Sequence, residues 1–595
     1  MKVAVVFLLA LLAGCTLQPP DGDVRSAGVA KFSDAEEFRD YLLSTVISGA
    51  VLRKSPAEML VNAEVPAYAA GYGGGKPAYV RRHSSTNVQV PGIDEPDILK
   101  NDGRRLYYSS TLTRVLSAYP PGNMSLIATL PERGELLVVK DVLLIFTSST
   151  ITAYRAAEAE KLWSMRLRGR IVGARLAGER VYVVVEKSLT PYTPCSMLLG
   201  TLNGRRIEVE CTSLYRPDEQ VPVNAAYLLA EVDPGTGEVL RSTGFLGESG
   251  SSVLYMSENA VYVTFPVRRL YDFPALEDAL PPELAEQLRE LRGYRLSRDA
   301  KLAEYRRITE SYLAELDDQE RAEVAELMRV SAPGYPFIPQ PRERTGIVKL
   351  SLKSFRAEAS TVLEGRLLNQ FSLDEHRGYL RVALSTGNDN LVRVLDSRLE
   401  QVGVVDSLGK KGERIFGVRF AGDFGYVVTF RQTDPFYVID LSDPENPAMA
   451  GELEMPGYSS YLHPLSDGLV LGVGMQDRRV KLSLFDVSTP EEPVELDRVL
   501  LPEPVTEAVR NHRAFLADPE RKVFFIPGAG AAYLYSYSGG TLTPILELPG
   551  RWRRAAYIGE YMYILSDERV VAVDERTWET AGELLLSRKE GTWWK

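Results

Sequence analysis

The chain is poor in the residues that most often carry enzyme chemistry. Of its 595 residues, four are histidine and three are cysteine. Histidine is the side chain whose ordinary pKa best suits proton transfer near neutral pH, so its scarcity limits general-base and metal chemistry. No Gly-rich phosphate loop, zinc-protease motif or serine nucleophile elbow is found in the sequence. The composition therefore gives little support to an enzyme.

Clusters of basic residues are also missing. The 69 Lys and Arg are outnumbered by 80 Asp and Glu, which gives a net charge of -11, and no Lys/Arg-rich block interrupts this balance. Proteins that bind nucleic acid need a basic patch to neutralise the phosphate backbone. The sequence therefore predicts no nucleic-acid partner.

A short apolar run stands at the N-terminus. Lys2 precedes the apolar residues 3–12, which are followed by Ala13-Gly14-Cys15. Ten apolar residues are too few to span a bilayer as a helix, but they suit a secretory signal. Residues 12–15 also match the lipoprotein signal box, so residues 1–15 are predicted to be a lipoprotein signal peptide with Cys15 lipidated. The predicted location is extracytoplasmic, anchored to the cell membrane by lipid; plain secretion is the alternative.

The two other cysteines, Cys195 and Cys211, are predicted to form a disulfide. An exported protein lies in an oxidising environment, and the residues between them are centred on Asn203-Gly204, a hairpin turn signal. No histidine or further cysteine stands nearby to complete a metal site.

The sequence contains repeats. Residues 438–447 (VIDLSDPENP) and 483–493 (SLFDVSTPEEP) each combine an apolar strand ending in Asp with a Pro-rich turn, and Asp440 and Asp486 stand 46 residues apart. Units of this length with four strands each are typical of a β-propeller. Nine candidate units begin near residues 96, 134, 171, 252, 369, 414, 460, 510 and 553. We predict an all-β propeller of about eight four-stranded antiparallel blades, with seven to nine in range, one of the nine candidates being half a blade shared by the chain ends.

Two regions depart from the strand pattern. Residues 16–83 are predicted to contain a solvated tether, a short amphipathic helix from Asp34 to Ser48 that starts with a capping box at Ser33, and a Gly-rich linker near residues 67–77. The propeller is assigned to residues 84–595, with a helical insertion over residues 273–330, where the apolar residues adopt helical spacing. The insertion is interpreted as packing on the rim of its blade, with a lid or docking arm as the alternative.

Residues 86–103, TNVQVPGIDEPDILKNDG, resemble the opening motif of a family of secreted bacterial and archaeal proteins with a β-propeller domain distantly related to WD repeats. The resemblance extends over roughly residues 84–574 and includes NQFSLDE (369–375), VRF (418–420), TFRQTDP (429–435), YLHP (461–464) and HRAF (512–515). It implies a secreted propeller. It implies no activity and no catalytic residue.

Several polar residues are candidates for a binding site. Asp94, Glu95 and Asp97 form an acidic cluster of the kind that binds Ca²⁺, although turn capping or a salt-bridged connection between blades explains it as well. A second group is Arg431 with Asp434 at a loop, interpreted as an ion pair that locks the loop, with ligand binding as the alternative. A third is Tyr461 with His463, where a Ser-His pair for catalysis competes with a structural histidine whose ring bonds backbone between blades. The motifs predict no cofactor, leave Ca²⁺ as an alternative at the acidic cluster, and identify no catalytic residue.

The sequence favours a binding or scaffold protein. The hypothesis is a lipid-anchored surface propeller that presents loops to a protein, peptide or glycan partner. The alternative is a secreted enzyme, a hydrolase or a metal-dependent oxidoreductase, with its site at the central channel.

Overall fold

The computed structural model consists almost entirely of antiparallel sheet. It describes residues 28–45, 82–218, 221–267, 281–294, 343–387, 389–430, 434–465 and 468–586, with scattered residues between 301 and 320. The predicted signal peptide, the predicted Gly-rich linker and Arg431 lie outside the described residues.

Two short strands and one helix precede the repeated units, and the first three units then follow. These elements are β1 (Val29–Lys31), α1 (Ala35–Thr45) and β2 (Ile93–Asp94). Unit 1 contains β3 (Leu99–Asn101), β4 (Arg105–Ser109), β5 (Thr113–Ser117) and β6 (Ser125–Leu130), and unit 2 contains β7 (Glu135–Val139), β8 (Val142–Phe146), β9 (Thr150–Arg155) and β10 (Glu160–Leu167). Next come β11 (Arg170–Ala177), β12 (Arg180–Ser188), β13 (Ser196–Leu202), β14 (Arg205–Glu210), β15 (Leu214–Pro217), β16 (Ala225–Val232) and β17 (Val239–Gly247). Unit 3 is the sheet β11-β12-β16-β17, with β2 added on its inner side and β15 and β1 on its outer side, whereas β13 and β14 extend unit 2.

Six further units follow with regular strand order. Unit 4 contains β18 (Leu254–Met256), β19 (Ala260–Pro266), β20 (Arg344–Ser351) and β21 (Ala357–Glu364), and unit 5 contains β22 (Leu373–His376), β23 (Tyr379–Ser385), β24 (Asn390–Leu395) and β25 (Gln401–Val405). Unit 6 contains β26 (Arg414–Ala421), β27 (Phe424–Phe430), β28 (Asp434–Asp440) and β29 (Ala448–Met455), and unit 7 contains β30 (Tyr458–Pro464), β31 (Leu469–Gln476), β32 (Arg479–Asp486) and β33 (Val494–Leu500). Unit 8 contains β34 (Leu516–Asp518), β35 (Val523–Pro527), β36 (Ala531–Ser536) and β37 (Thr543–Pro549), and unit 9 contains β38 (Trp552–Ile558), β39 (Tyr561–Ser566), β40 (Arg569–Asp574) and β41 (Thr580–Leu585).

The described residues thus contain nine four-stranded units, which is within the predicted range of seven to nine. Their first strands begin within six residues of the nine positions marked in the sequence. The ends of the chain are joined differently from the predicted half blade: units 1 and 9 each have four strands of their own, and His83 adds a single β-bridge to Ile558 on the inner strand of unit 9.

The hydrophobic core lies between neighbouring sheets. Because both faces of each unit are apolar, each unit needs a neighbour on either side to bury them. One cluster joins units 1 and 2, another joins units 6 and 7, and a third closes the ring by packing Leu106 and Tyr108 of unit 1 against Tyr563 and Leu565 of unit 9. The ring is therefore held by apolar contact as well as by the chain's own connections.

The aspartate that ends the third strand forms the same turn in units 6 and 7. The carboxylate of Asp440 accepts a hydrogen bond from the backbone N–H of Ser442 at 2.8 Å. Asp486 accepts the equivalent bond from Ser488 at 2.9 Å. These aspartates end the third strand and cap the turn, as the sequence predicts.

Helix α1 begins one residue later than its predicted cap. Asp34, rather than Ser33, is the N-cap, since its carboxylate accepts hydrogen bonds from the N–H groups of Glu36 and Glu37, both at 2.9 Å. Asp and Ser are almost equally good N-caps, so residue type alone does not choose between neighbours. The last part of the predicted helix, after Thr45, lies outside the described residues.

The helical insertion joins β19 to β20 in unit 4. Its first helix, α2 (Pro282–Gly293), starts with Pro282 in the first turn, and farther along Asp317 and Glu320 form a reciprocal capping box. Among the described residues, Leu288 and Leu291 of α2 form a separate cluster with Tyr305 of the same insertion. The apolar stripe thus builds a small core of its own. In the part of the chain that the structure describes, neither helix is long and apolar enough to cross a membrane.

The predicted disulfide and hairpin are confirmed. Cys195 is bonded to Cys211, and the bond joins the two ends of the β13–β14 hairpin. The turn of that hairpin has Asn203 and Gly204 at positive φ, 48° and 87°, as a type I′ turn requires.

We expect reduction of this disulfide to lower the free energy of unfolding by about 3 kcal/mol. The bond joins residues 16 positions apart, and closing a loop of that length restricts the unfolded chain by roughly this amount. Urea unfolding with and without dithiothreitol measures the effect. A double variant, Cys195→Ser with Cys211→Ser, should unfold at the lower midpoint and no longer respond to the reductant. An equal response in that variant would contradict the prediction.

Candidate functional site at the propeller axis

Residues 82–98, called here the axial segment, cross the centre of the ring before the chain enters unit 1. His83 bridges to unit 9, and the Asn87 side chain donates to the Tyr461 hydroxyl of unit 7 at 3.0 Å. Gln89 donates to the carbonyls of Gln370 and Leu373, beside unit 5, at 3.0 and 2.9 Å. Strand β2 pairs with β11 of unit 3, and Asp97 bridges to β7 of unit 2. Contacts with five separate units place this segment on the axis.

The sequence of the segment explains its shape. Pro91 and Gly92 occupy the centre of a turn closed by a hydrogen bond from the N–H of Ile93 to the carbonyl of Val90, 3.2 Å long. Gly92 has φ of 79°, which suits glycine at the third position of a type II turn after proline. The turn redirects the chain from unit 5 towards unit 3.

The carboxylates of the acidic cluster each meet a different cation. Asp97 holds the guanidinium of Arg554 in a two-pronged ion pair at 3.0 Å. Glu95 lies 3.1 Å from Arg175, and Asp94 accepts from the ammonium of Lys100 at 2.7 Å. Elsewhere on the segment, Arg513 bonds the carbonyl of Pro96 and the carboxylate of Glu135.

These ion pairs correspond to the salt-bridged connection between blades that the sequence analysis gave as an alternative to Ca²⁺ binding. The carboxylates point to three different cations, whereas a Ca²⁺ site needs several oxygens directed at one point. Within the described ranges no three His, Cys, Asp or Glu side chains are grouped so that they could hold a metal ion.

Burial makes the Glu95 carboxyl unusually basic. Loss of hydration raises its pKa from 4.5 to about 7, although Arg175, Arg513 and Lys100 act in the opposite direction. The neighbouring guanidinium of Arg175 has its pKa lowered, also chiefly by burial.

This pKa predicts a pH dependence of stability. Between pH 4.5 and 7 the folded protein keeps a proton on Glu95 that the unfolded chain has released, so the free energy of unfolding falls as pH rises through this window. The loss attributable to this group is on the order of 3 kcal/mol. Urea unfolding measures the free energy of unfolding of wild type and of Glu95→Gln between pH 5 and 8. The difference between the two proteins should change by about this amount across that range. The exposed control Glu583→Gln should follow wild type, and parallel curves for Glu95→Gln would refute the assignment.

Tyr461 and His463 form a second buried group on β30. The hydroxyl of Tyr461 lies 2.9 Å from Nδ1 of His463, and burial together with the charge of Arg419 lowers the pKa of His463 to about 3. His463 is therefore neutral at physiological pH. Nδ1 of the ring thus bonds a side-chain hydroxyl, which in turn accepts from Asn87, whereas the sequence hypothesis gave the structural histidine a backbone partner.

A cavity of about 250 Å³ adjoins the axial segment. Lys100, Asp97 and Arg513 line it, together with Thr86, Asn87 and Phe515. The charged groups of Lys100, Asp97 and Arg513 already have hydrogen-bond partners within the protein. A ligand in the cavity would therefore meet charges that are already paired.

A family model described as "Beta propeller domain" matches residues 83–578. The chain belongs to this family. Within the beta propeller domain family, it is 39% identical over 604 residues to an uncharacterised protein of Archaeoglobus fulgidus, covering 96% of this chain and 97% of that one. It is 32% identical over 523 residues to an uncharacterised protein of Methanocaldococcus jannaschii, covering 84% and 82%.

Among solved structures, apo AztD from Citrobacter koseri is similar at a TM-score of 0.34 and 12% identity, covering 80% of this chain and 93% of that one. A likeness at this level carries no argument.

In this member of the beta propeller domain family, three of the seven predicted site residues, Asp94, Glu95 and Asp97, lie on the axial segment. Tyr461 touches the same segment through Asn87 and bonds His463, so these two residues form a separate group beside it. Asp434 begins β28, and its proposed partner Arg431 is outside the described residues. The sequence reasoning missed the arginines that meet the axial segment. A signal was present, since β11 and β26 share the pattern RIxGxRxA, in which a polar residue stands within an otherwise apolar inner strand.

Proposed function

We propose that this propeller is an exported, lipid-anchored binding or scaffold module that presents its exposed surfaces to a protein, peptide or glycan. Support for export comes from the apolar run before Cys15 and from the disulfide between Cys195 and Cys211, which an oxidising compartment favours.

One observation carries the binding role: the axial segment crosses the place where a propeller enzyme would build its site, and its charged side chains are paired within the protein. Its carboxylates are bonded to Arg175, Arg554 and Lys100, and His463 is buried and neutral. Side chains committed to internal ion pairs serve the scaffold, whereas binding residues are more often found on loops held by such a scaffold. The helical insertion, with its separate core, is suited to a docking arm.

The anchor is tested by Cys15→Ser in the full chain. Wild type should sediment with membranes, leave them on detergent extraction, and carry a lipid on Cys15 by mass spectrometry of the mature N-terminus. Cys15→Ser should lose both the lipid and the membrane association, while the matched control Thr16→Ala keeps them. Membrane association that survives Cys15→Ser would contradict the proposed anchor.

The binding role is tested separately on the purified full chain. Glycan and peptide arrays should give saturable binding that a substitution on the exposed face of the insertion, such as Glu283→Lys, weakens, and a screen of hydrolase and redox substrates should give no turnover. Robust turnover that an axial substitution such as His463→Gln abolishes would overturn the binding role in favour of the enzyme alternative.

A further inference from the structure

Arg175 and Arg419 occupy equivalent positions in two units of the ring. Their strands, β11 and β26, share the pattern RIxGxRxA, and in both the ladder has a bulge just before the glycine. Each arginine then faces a tyrosine on the next strand, Tyr182 or Tyr426. Both arginines are 6% exposed.

The two arginines differ in their partners. Arg175 has an acidic side chain beside it, since Glu95 of the axial segment lies 3.1 Å from its guanidinium. Among the described residues, Arg419 has no carboxylate within ion-pair distance, and its Nε is buried without a hydrogen-bond acceptor. Asp374, the acidic residue whose charge acts on it most strongly, is already bonded to Arg381 at 2.9 Å.

The surroundings leave the donors of Arg419 available. Its guanidinium carbon lies 4.6 Å from the centroid of the Phe371 ring, and such a cation–π contact uses none of the N–H donors. The side-chain amide of Gln370, which is next to Phe371, has its oxygen near Arg175 at 3.4 Å and its buried nitrogen without an acceptor. Two unused donors thus belong to residues next to Phe371, Arg419 by contact and Gln370 in the chain.

A buried cation without a counter-charge is costly, and a neighbouring neutral His463 supplies none. Burial lowers the pKa of Arg419 to about 10, which leaves it charged at neutral pH. The equivalent Arg175 has the carboxyl group of Glu95 within 3.1 Å, and a planar carboxylate matches the guanidinium fork.

We propose that Arg419 is the anchor of an axial anion site that binds a small carboxylate, with the Gln370 amide as a second donor. The bound carboxylate takes at unit 6 the place that Glu95 takes at unit 3. This inference goes beyond the proposed surface-binding role and does not depend on it, because it concerns the interior of the ring.

Acetate is the probe. Isothermal titration of the purified full chain at pH 7, with sodium chloride at equal ionic strength as the blank, should show saturable binding of one acetate per chain. Arg419→Gln should weaken this binding at least about tenfold, because a charge-assisted pair is lost. The matched control Arg414→Gln, at the exposed start of the same strand, should bind as wild type does.

Acetate should also raise the midpoint of thermal unfolding of wild type and of Arg414→Gln, since a ligand that binds only the folded state stabilises it. If Arg419→Gln does not fold, Arg419→Lys retains the charge without the fork and should bind acetate more weakly than wild type. The inference is overturned by an absence of saturable acetate binding to wild type, by unchanged affinity in the folded Arg419 variants, or by binding of inorganic phosphate in preference to acetate.

Discussion

Replacing Asp97 with alanine should lower the free energy of unfolding by about 3–5 kcal/mol, the range found when one partner of a buried ion pair is removed. The pair is deeply buried, with the side chains of Arg554 and Asp97 exposed by 2% and 4%. The substitution leaves the guanidinium in the protein interior with Glu507 as its remaining acidic partner, at 3.0 Å. Urea unfolding followed by circular dichroism measures the change.

An exposed pair in unit 9 provides the control. Arg569 and Glu583 lie 3.1 Å apart with side chains 41% and 43% exposed, so Glu583→Ala should cost less than about 1 kcal/mol. A double variant, Asp97→Leu with Arg554→Met, removes both charges and should recover part of the stability lost in Asp97→Ala. If Asp97→Ala and Glu583→Ala have equal effects, the axial segment is not held by its buried charges.

The second large effect is expected at the contact between units 6 and 7. Phe485 of β32 is fully buried and stacks on Phe436 of β28, with ring centroids 4.6 Å apart. Phe485→Ala removes this ring and leaves a cavity between the sheets, which should cost about 3–5 kcal/mol. The midpoint of urea unfolding gives the measurement.

Val494→Ala, in the outer strand of the same unit, is the matched control. Its side chain is 52% exposed, and a substitution there should change stability by about 0.5 kcal/mol or less. Because Phe436 and Phe485 share one contact, the double alanine variant should lose less than the two single losses added together. Additive losses would show that the two rings stabilise their own sheets rather than the contact between them.

The repeated units could be predicted because their signals are local. Alternating apolar residues define each strand, and aspartates such as Asp440 and Asp486 mark the turn that follows. The Asn203-Gly204 hairpin and its disulfide were predictable for the same reason: all the residues involved lie within one short stretch of chain.

The contacts at the axis could not be predicted in this way. Asp97 and Arg554 are 457 residues apart, and closure of the whole ring is needed to bring them together. The sequence identified acidic residues and a histidine as candidates, but it gave no means of pairing Glu95 with Arg175 or Asn87 with Tyr461. Pairings of this kind depend on the number of units and on their positions around the axis.

The route of residues 82–98 also has a consequence for biosynthesis. The ribosome delivers this segment before any of the units it contacts, and Arg554 follows only after 457 more residues. At a synthesis rate of roughly 5 to 20 residues per second, Asp97 is made about 20 to 90 s before Arg554. A nascent chain that stops short of unit 9 leaves this aspartate without its guanidinium, so the pair can form only once unit 9 has been synthesised.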